Sequence, residues 1–283
     1  MFEKKYNIKK YPFQPKPGRI LNLCLGRANK GINRLSVYKN QEKRNKEKVM
    51  GNKMNTNDAG GCKCGNTFPL IGDKAPEFRA MTTKGKVDFP EDYSGKWVVL
   101  FSHPADFTPV CTTEFIALAK AIEEFRSINT ELLGLSIDSL HSHLAWVDSI
   151  KDIDWQDSGK VEVPFPVIAD ISMNVAKKYG MLQTVANTQT VRAVFIIDPE
   201  GTVRTILYYP MSTGRNISEI IRIIRSLQKH DSDDVSTPAN WEPGDDVLAG
   251  APLTLEAANE MMASNNEHFK SLAWYLHVKK ENK

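Results

Sequence analysis

One feature constrains this chain more than any other. The apolar run Trp97–Ser102 (Trp-Val-Val-Leu-Phe-Ser) stops at His103-Pro104, and a helical pattern starts at Pro109. A run without alternation suits a strand buried on both faces, so layers must cover it above and below. Behind it Phe115, Leu118, Ala119, Ile122 and Phe125 recur at three- and four-residue steps. That stripe predicts a helix over about 109–126. The beat then repeats. Residues 132–137 read as a second buried strand. Leu140–Ile150 reads as a helix with Leu144, Val147 and Ile150 on its stripe, and 166–169 as a short strand. Residues 78–81 form an extended stretch ahead of them. Further on, 191–197 and Val203–Tyr209 flank Asp198-Pro199-Glu200-Gly201, which is turn chemistry. Residues 217–227 close this unit as an amphipathic helix. Strand–helix alternation implies parallel βαβ units, and the hairpin adds antiparallel pairing. The expected fold class is α/β, a mixed β-sheet sandwiched by helices.

Charge divides the 283 residues differently. Residues 1–53 hold 15 Lys+Arg against 3 Asp+Glu, whereas the rest holds 22 against 31. The basic head carries apolar residues only in scraps, too few to offset the entropy of ordering it. Residues 1–66 are therefore expected to be a mostly disordered N-terminal extension. It has no apolar core or small-residue cleavage site of a secretory signal, and Lys and Asn dominate rather than the Arg and Ser of a transit peptide. It reads as a solvated tail or as upstream sequence, with Met50 and Met54 as alternative starts. Residues 67–230 form the main domain and 231–283 a smaller C-terminal extension. Within the latter, 231–250 is irregular, while 253–262 and Trp274-Tyr275-Leu276 carry apolar surface to pack on the body or on a second subunit. No stretch approaches the ~20 apolar residues of a membrane helix. Four cysteines in this length exclude a small disulfide-dense scaffold.

Cys111 sits where a buried strand ends and a helix begins. Thr108 is a good N-cap residue and Pro109 suits the first helical position. Cys111 then falls in the first turn, near free N–H groups and the positive end of the helix dipole. Both favour the thiolate, which is the nucleophile. Position alone leaves two readings open, a reactive thiol and a small buried hydrophobe.

Pro104, Thr108 and Cys111 spell P-x-x-x-T-x-x-C, and Phe-Ser-His-Pro-Ala-Asp-Phe-Thr-Pro-Val-Cys-Thr-Thr-Glu surrounds them. The string resembles the peroxidatic motif of peroxiredoxins, in particular their one-cysteine branch (AhpC/TSA-like). Further similar segments are Leu-Ser-Ile-Asp-Ser (135–139), His143-Leu144-Ala145-Trp146, Pro164-Phe165-Pro166, Tyr209-Pro210, Thr213-Gly214-Arg215-Asn216 and Pro238-Ala239-Asn240-Trp241. The resemblance covers about residues 68–250. It implies a thioredoxin-like fold and a thiol-dependent peroxidase that reduces hydrogen peroxide and alkyl hydroperoxides, serving antioxidant defence and redox homeostasis. Cys111 would be the nucleophile, becoming a sulfenic acid. Thr108 would hydrogen-bond thiolate or peroxide, and Pro104 would wall the pocket. Arg192 would stabilise the thiolate and the charge on the leaving oxygen, with Glu114 holding it. His103 and Arg215 would support the site. No bound cofactor and no metal are implied. His141 and His143, two apart on a helix, make a poor metal pair.

No cysteine follows Cys111, so the resemblance implies a one-cysteine cycle finished by an external thiol such as thioredoxin or glutathione. Cys62 and Cys64, in Gly-Gly-Cys-Lys-Cys-Gly ahead of the fold, offer an alternative as resolving thiols in a self-resolving peroxidase. Cys24 has no assignable role. Some animal one-cysteine relatives carry a lipase serine just before the buried strand; Lys96 stands there, so no such activity is expected. A homodimer or higher homo-oligomer in the cytoplasm is implied, with no membrane and no nucleic-acid partner. A thioredoxin-fold holdase or binding protein is the alternative from another class. It would have no need of Thr108 and Arg192 beside Cys111.

Overall fold

The computed structural model describes residues 68–184 and 187–281. The basic head, Met50, Met54, Cys24, Cys62 and Cys64 lie outside the described residues. The chain first makes a hairpin of β1 (Phe78–Thr82) and β2 (Gly85–Phe89), then β3 (Trp97–Ser102). Helices α1 (Pro109–Lys120) and α2 (Ile122–Ser127) lead to β4 (Thr130–Ser136). Helix α3 (Leu140–Ile150), strand β5 (Val167–Ala169) and helix α4 (Asn174–Lys178) follow. Strands β6 (Leu182–Thr184) and β7 (Asn187–Thr190) pair with each other. The hairpin of β8 (Arg192–Ile197) and β9 (Val203–Tyr209) ends in helix α5 (Ile217–Asp233). A small lobe holds β10 (Val247–Leu248), α6 (Leu255–Ala263), β11 (Phe269–Ala273) and β12 (Leu276–Lys279).

The main sheet has seven strands in the order β2-β1-β5-β4-β3-β8-β9. Strands β3, β4 and β5 are mutually parallel, and β8 joins antiparallel to β3. All six residues of β3 are buried. Alternation divides them: Val99 and Phe101 enter one core with Phe115, Trp146 and Ile224, while Val98 and Leu100 enter the other with Phe89, Tyr179 and Phe195. The first core lies under α1, α2, α3 and α5. The second lies under α4 and the β1–β2 hairpin. Each such side chain, fully buried, stabilises the fold by about 1.5–3 kcal/mol. The mixed sheet between helices is thus the architecture expected from the apolar runs.

Three expectations need correcting. The predicted continuous helix breaks at Ala121 (φ −86°, ψ 1°) into α1 and α2. Helix α3 turns His143, Trp146 and Ile150 inward, and Leu144 is left 45% exposed. The inward face is displaced because His143 finds polar partners inside. Helix α5 runs past its apolar stripe to Asp233, since Lys229 pairs with Asp233 one turn on and Asp234 closes the helix in a left-handed conformation (φ 52°). In the C-terminal lobe α6 buries only Ala258, and Leu253, Leu255, Trp274 and Tyr275 are exposed. The body therefore does not cover these residues. Among the described residues no helix is long and apolar enough to cross a membrane.

Candidate active site

Strand β3 delivers the chain to the site. Its last ladder contact is the His103 N–H on the Leu135 carbonyl, 3.0 Å. Pro104 has no N–H to continue with, so pairing stops and the chain leaves the sheet. Phe107 takes a left-handed conformation (φ 54°), Thr108 is extended, and Pro109 occupies the start of α1. Thr108 makes the N-cap by backbone alone: its carbonyl accepts from Thr112 N–H at 3.0 Å. Its hydroxyl donates to the Ala105 carbonyl at 2.8 Å instead of capping the helix, so the loop is tied across its own turn. Cys111 follows in the first turn with none of its surface exposed, and Pro104 is buried beside the loop.

Arg192 opens β8 on the neighbouring strand. Its Nη1 donates to Cys111 Sγ at 3.3 Å and to Glu114 Oε2 at 2.7 Å. Its Nε and Nη2 both donate to the Met211 carbonyl, at 3.0 and 2.9 Å, so the guanidinium plane cannot swing. Glu114 is one turn along α1 from Cys111 and reaches a second arginine. Arg215 Nε and Nη2 bind its two oxygens at 3.0 and 2.7 Å, and the Arg215 N–H adds a third bond at 2.8 Å. Arg215 Nη1 donates to the carbonyls of Ser102 and Ala193 at 3.0 and 3.2 Å, and its head lies over the Phe101 ring. Arg215, which the resemblance implied as a supporting residue, is thus a buried brace for Glu114. Two guanidiniums against one carboxylate leave a net positive charge facing Sγ. An anionic sulfur there brings the buried group to neutrality.

Behind the loop lies a second polar group. His103 Nε2 meets Asp106 Oδ1 at 3.0 Å. His143 Nδ1 meets Asp106 Oδ2 at 2.9 Å, and His143 Nε2 meets the Ile168 carbonyl at 3.1 Å. Burial pushes the His103 imidazole below its ordinary value, although its bond to Asp106 works the other way. Burial pushes the Asp106 carboxyl up, but hydrogen bonds from His103 and His143 outweigh it and hold the group well below the carboxylate range. Asp106 and His143 escape sequence reasoning as a pair; the signal present was the Asp inside the motif string. His141 is exposed while His143 is buried, as their spacing on the helix requires.

His103, Asp106 and His143 are also the described residues whose donor atoms lie close enough together, within 4.8 Å, to hold a metal ion. A metal on His103 Nε2 would force the ring proton onto Nδ1. That atom is buried with no partner, and a metal-bound histidine needs an acceptor there. The cluster therefore fits hydrogen bonds better than a metal.

Comparison with known proteins gives the family. Residues 71–206 match the AhpC/TSA family, and residues 226–265 match the C-terminal domain of 1-Cys peroxiredoxin. A peroxiredoxin of Methanosarcina mazei is 58% identical over 216 residues, 76% of this chain and 99% of that protein. Among solved structures, a yeast mitochondrial 1-Cys peroxiredoxin, described with a thiol-resolving mechanism via glutathione/thioredoxin systems, is 40% identical with a TM-score of 0.66. It covers 75% of this chain and 99% of its own. A mutant of peroxiredoxin 6 from Arenicola marina is 35% identical with a TM-score of 0.65, covering 76% of this chain and 99% of its own. This chain belongs to the peroxiredoxin family and is a thiol-dependent peroxidase with a thioredoxin-like fold.

Proposed function

We propose that Cys111 is the peroxide-reducing residue and that the cycle is of the one-cysteine type. The observation that carries this is the Arg192 guanidinium, 3.3 Å from Sγ and clamped by Glu114 and Met211. In the reaction the thiolate attacks one peroxide oxygen. An S–O bond forms, the O–O bond breaks, and sulfur gives up two electrons. The leaving oxygen departs as water or alcohol once protonated, and Cys111 becomes the sulfenic acid. A fixed guanidinium stabilises charge on sulfur before the step and on the leaving oxygen during it. Thr108, its proton given to Ala105, offers oxygen lone pairs to a peroxide hydroxyl. Pro104 keeps water from the sulfur, and Glu114, Arg215 and His103 hold the frame.

The second half of the cycle takes an external thiol such as thioredoxin or glutathione, since no cysteine follows Cys111 in the sequence. On this proposal residues 67–230 carry the chemistry, 231–283 form the C-terminal extension, and 1–66 precede the fold. Antioxidant defence and redox homeostasis in the cytoplasm, by a homodimer, complete the reading and rest on family resemblance. The test is stopped-flow peroxide consumption by wild type and Cys111→Ser, each with thioredoxin or glutathione supplied. Turnover with either reductant, lost in Cys111→Ser, is expected. Full turnover in Cys111→Ser would overturn the assignment. Turnover that depends on Cys62 or Cys64 would replace the external thiol with a self-resolving cycle.

A further inference from the structure

Between strand β3 and helix α1 the chain crosses residues 104–109, and this loop has few ties to the rest of the fold. Pro104 and Pro109 have no N–H to give. Of the amides between them, that of Asp106 is the one with a hydrogen bond among the described residues. It donates to Asp138 Oδ2 at 3.0 Å. The Asp106 side chain meets His103 and His143. Thr108 Oγ1 turns back on the Ala105 carbonyl, inside the loop. Between its two ends the loop is therefore hung on the fold at Asp106.

Asp138 is itself held. It stands two residues past Ser136, the last residue of β4. Ser136 pairs with Ala169 of β5, and its carbonyl accepts the Asp170 N–H at 2.9 Å. Ser136 Oγ donates to Asp138 Oδ2 at 2.7 Å and accepts the Asp138 N–H at 3.0 Å. This clasp pins the carboxylate to the sheet and fixes the direction of the oxygen that takes the Asp106 N–H. Next to Asp106 stands Phe107, a bulky residue at φ 54° and 60% exposed. A non-glycine residue in that region is strained, and the strain persists only where its neighbours over-determine it. The neighbours here are two anchors: Asp106 on Asp138, and Thr108, whose carbonyl accepts from Thr112 to start α1. Release of the first anchor lets Phe107 relax and shifts the start of α1, which carries Cys111 in its first turn. Arg192 does not follow, because Glu114 one turn further on and the Met211 carbonyl hold it.

We propose that Asp138 is a positioning residue for the peroxide step: through the Asp106 N–H it fixes the loop that sets Cys111 Sγ against Arg192. It acts through the backbone of another residue and not on the reacting atoms. The segment Leu-Ser-Ile-Asp-Ser (135–139) thereby gains a task, with Ser136 aiming the carboxylate. The proposal rests on Cys111 being the reacting cysteine, but the clasp itself does not, and the experiment separates the two.

The test uses the full chain and reads two rates on the Cys111 peptide by mass spectrometry at one pH. One is oxidation by hydrogen peroxide, captured with a sulfenic-acid trap. The other is alkylation by iodoacetamide. Both need the thiolate, so its fraction cancels from their ratio. Only oxidation needs the guanidinium in place. In Asp138→Ala the ratio of oxidation to alkylation should fall about tenfold, the scale of one hydrogen bond to a charged group. Asp138→Asn keeps an oxygen for the Asp106 N–H and should recover most of that loss. Ser136→Ala frees the carboxylate to turn and should lower the ratio by less. In wild type, hydrogen exchange should find the Asp106 amide protected and the Phe107 amide open. Near-ultraviolet circular dichroism identifies a variant that fails to fold. Should Asp138→Ala do so, Ser136→Ala and the wild-type exchange decide. A wild-type ratio in the folded variant, no recovery in Asp138→Asn, or an Asp106 amide that exchanges as fast as that of Phe107 overturns the proposal. Peroxide reduction surviving in Cys111→Ser would instead overturn the reading it rests on, while leaving the exchange result standing.

Discussion

Two buried polar groups flank the Pro104–Cys111 loop, and they solve the problem of burial differently. In the arginine group one carboxylate, Glu114, serves two guanidiniums, with Met211, Ser102 and Ala193 carbonyls taking further donors. A guanidinium is not deprotonated in proteins, so the positive side of this group is permanent. In the histidine group Asp106 also serves two side chains, the His103 and His143 rings, but one ring nitrogen, His103 Nδ1, is left without a partner among the described residues. The first group is a fixed electric field aimed at sulfur. The second is a hydrogen-bond framework that ties the loop to α3. Fixed charge and loop bracing are thereby assigned to separate residues.

The sharpest way to break the contrast is Glu114→Ala, which strips two buried guanidiniums of their shared partner. A stability loss of about 3–5 kcal/mol is expected in urea unfolding, together with loss of peroxidase. A midpoint unchanged from wild type would mean that the arginines relax to other partners. Arg192→Lys comes next. It keeps the charge but cannot bind Sγ, Glu114 and the Met211 carbonyl together. The peroxide rate should fall about 100-fold, the scale of one lost preorganised donor, while the unfolding midpoint moves far less than in Glu114→Ala. Equal losses in stability would merge the roles that the comparison separates.

The histidine group should reveal itself by pH. His103 is held below its ordinary value by burial. The unfolded chain therefore takes up a proton near pH ~6.5 that the folded chain refuses, and stability falls as pH drops below that point, by at most about 1.4 kcal/mol per pH unit. Asp106 adds a second loss on further acidification, below its unfolded value near pH ~4, because its folded form stays ionised. Urea midpoints measured from pH 7.5 to pH 5 check the first arm. A flat profile there would contradict a neutral buried His103. The smallest effect belongs to Trp146, whose Nε1–H donates to Thr112 Oγ1 at 3.2 Å from under the first turn of α1. Trp146→Phe keeps an aromatic ring and should cost about 1 kcal/mol, read in thermal unfolding.

The same contrast explains what the sequence could reveal. Glu114, Arg192 and Cys111 stand at motif positions, and Arg192 lies on a strand whose apolar run announces itself. Asp106 and His143 are 37 residues apart, and nothing local links them. The stripe through Leu144 even turned the helix the wrong way, because a buried histidine with two partners outweighs an exposed leucine. The buried strands of the main sheet were legible for the opposite reason: continuous apolar runs have few alternatives. Strand β2 (Gly-Lys-Val-Asp-Phe) has only two apolar residues and pairs through its turn with β1. Strands β11 and β12 are mostly half-exposed, with His277 buried between Ser271 and the Trp274 carbonyl. Their pairing depends on hydrogen bonds that no hydrophobic period records.

The central claim is that Cys111, in the field of Arg192, is the atom that peroxide oxidises. Its most direct test is peptide mass spectrometry after one equivalent of peroxide in the presence of a sulfenic-acid trap. The account predicts a trap adduct on the Cys111 peptide, absent from Cys111→Ser. Adducts confined to Cys24, Cys62 or Cys64, with Cys111 recovered as the thiol, would contradict it.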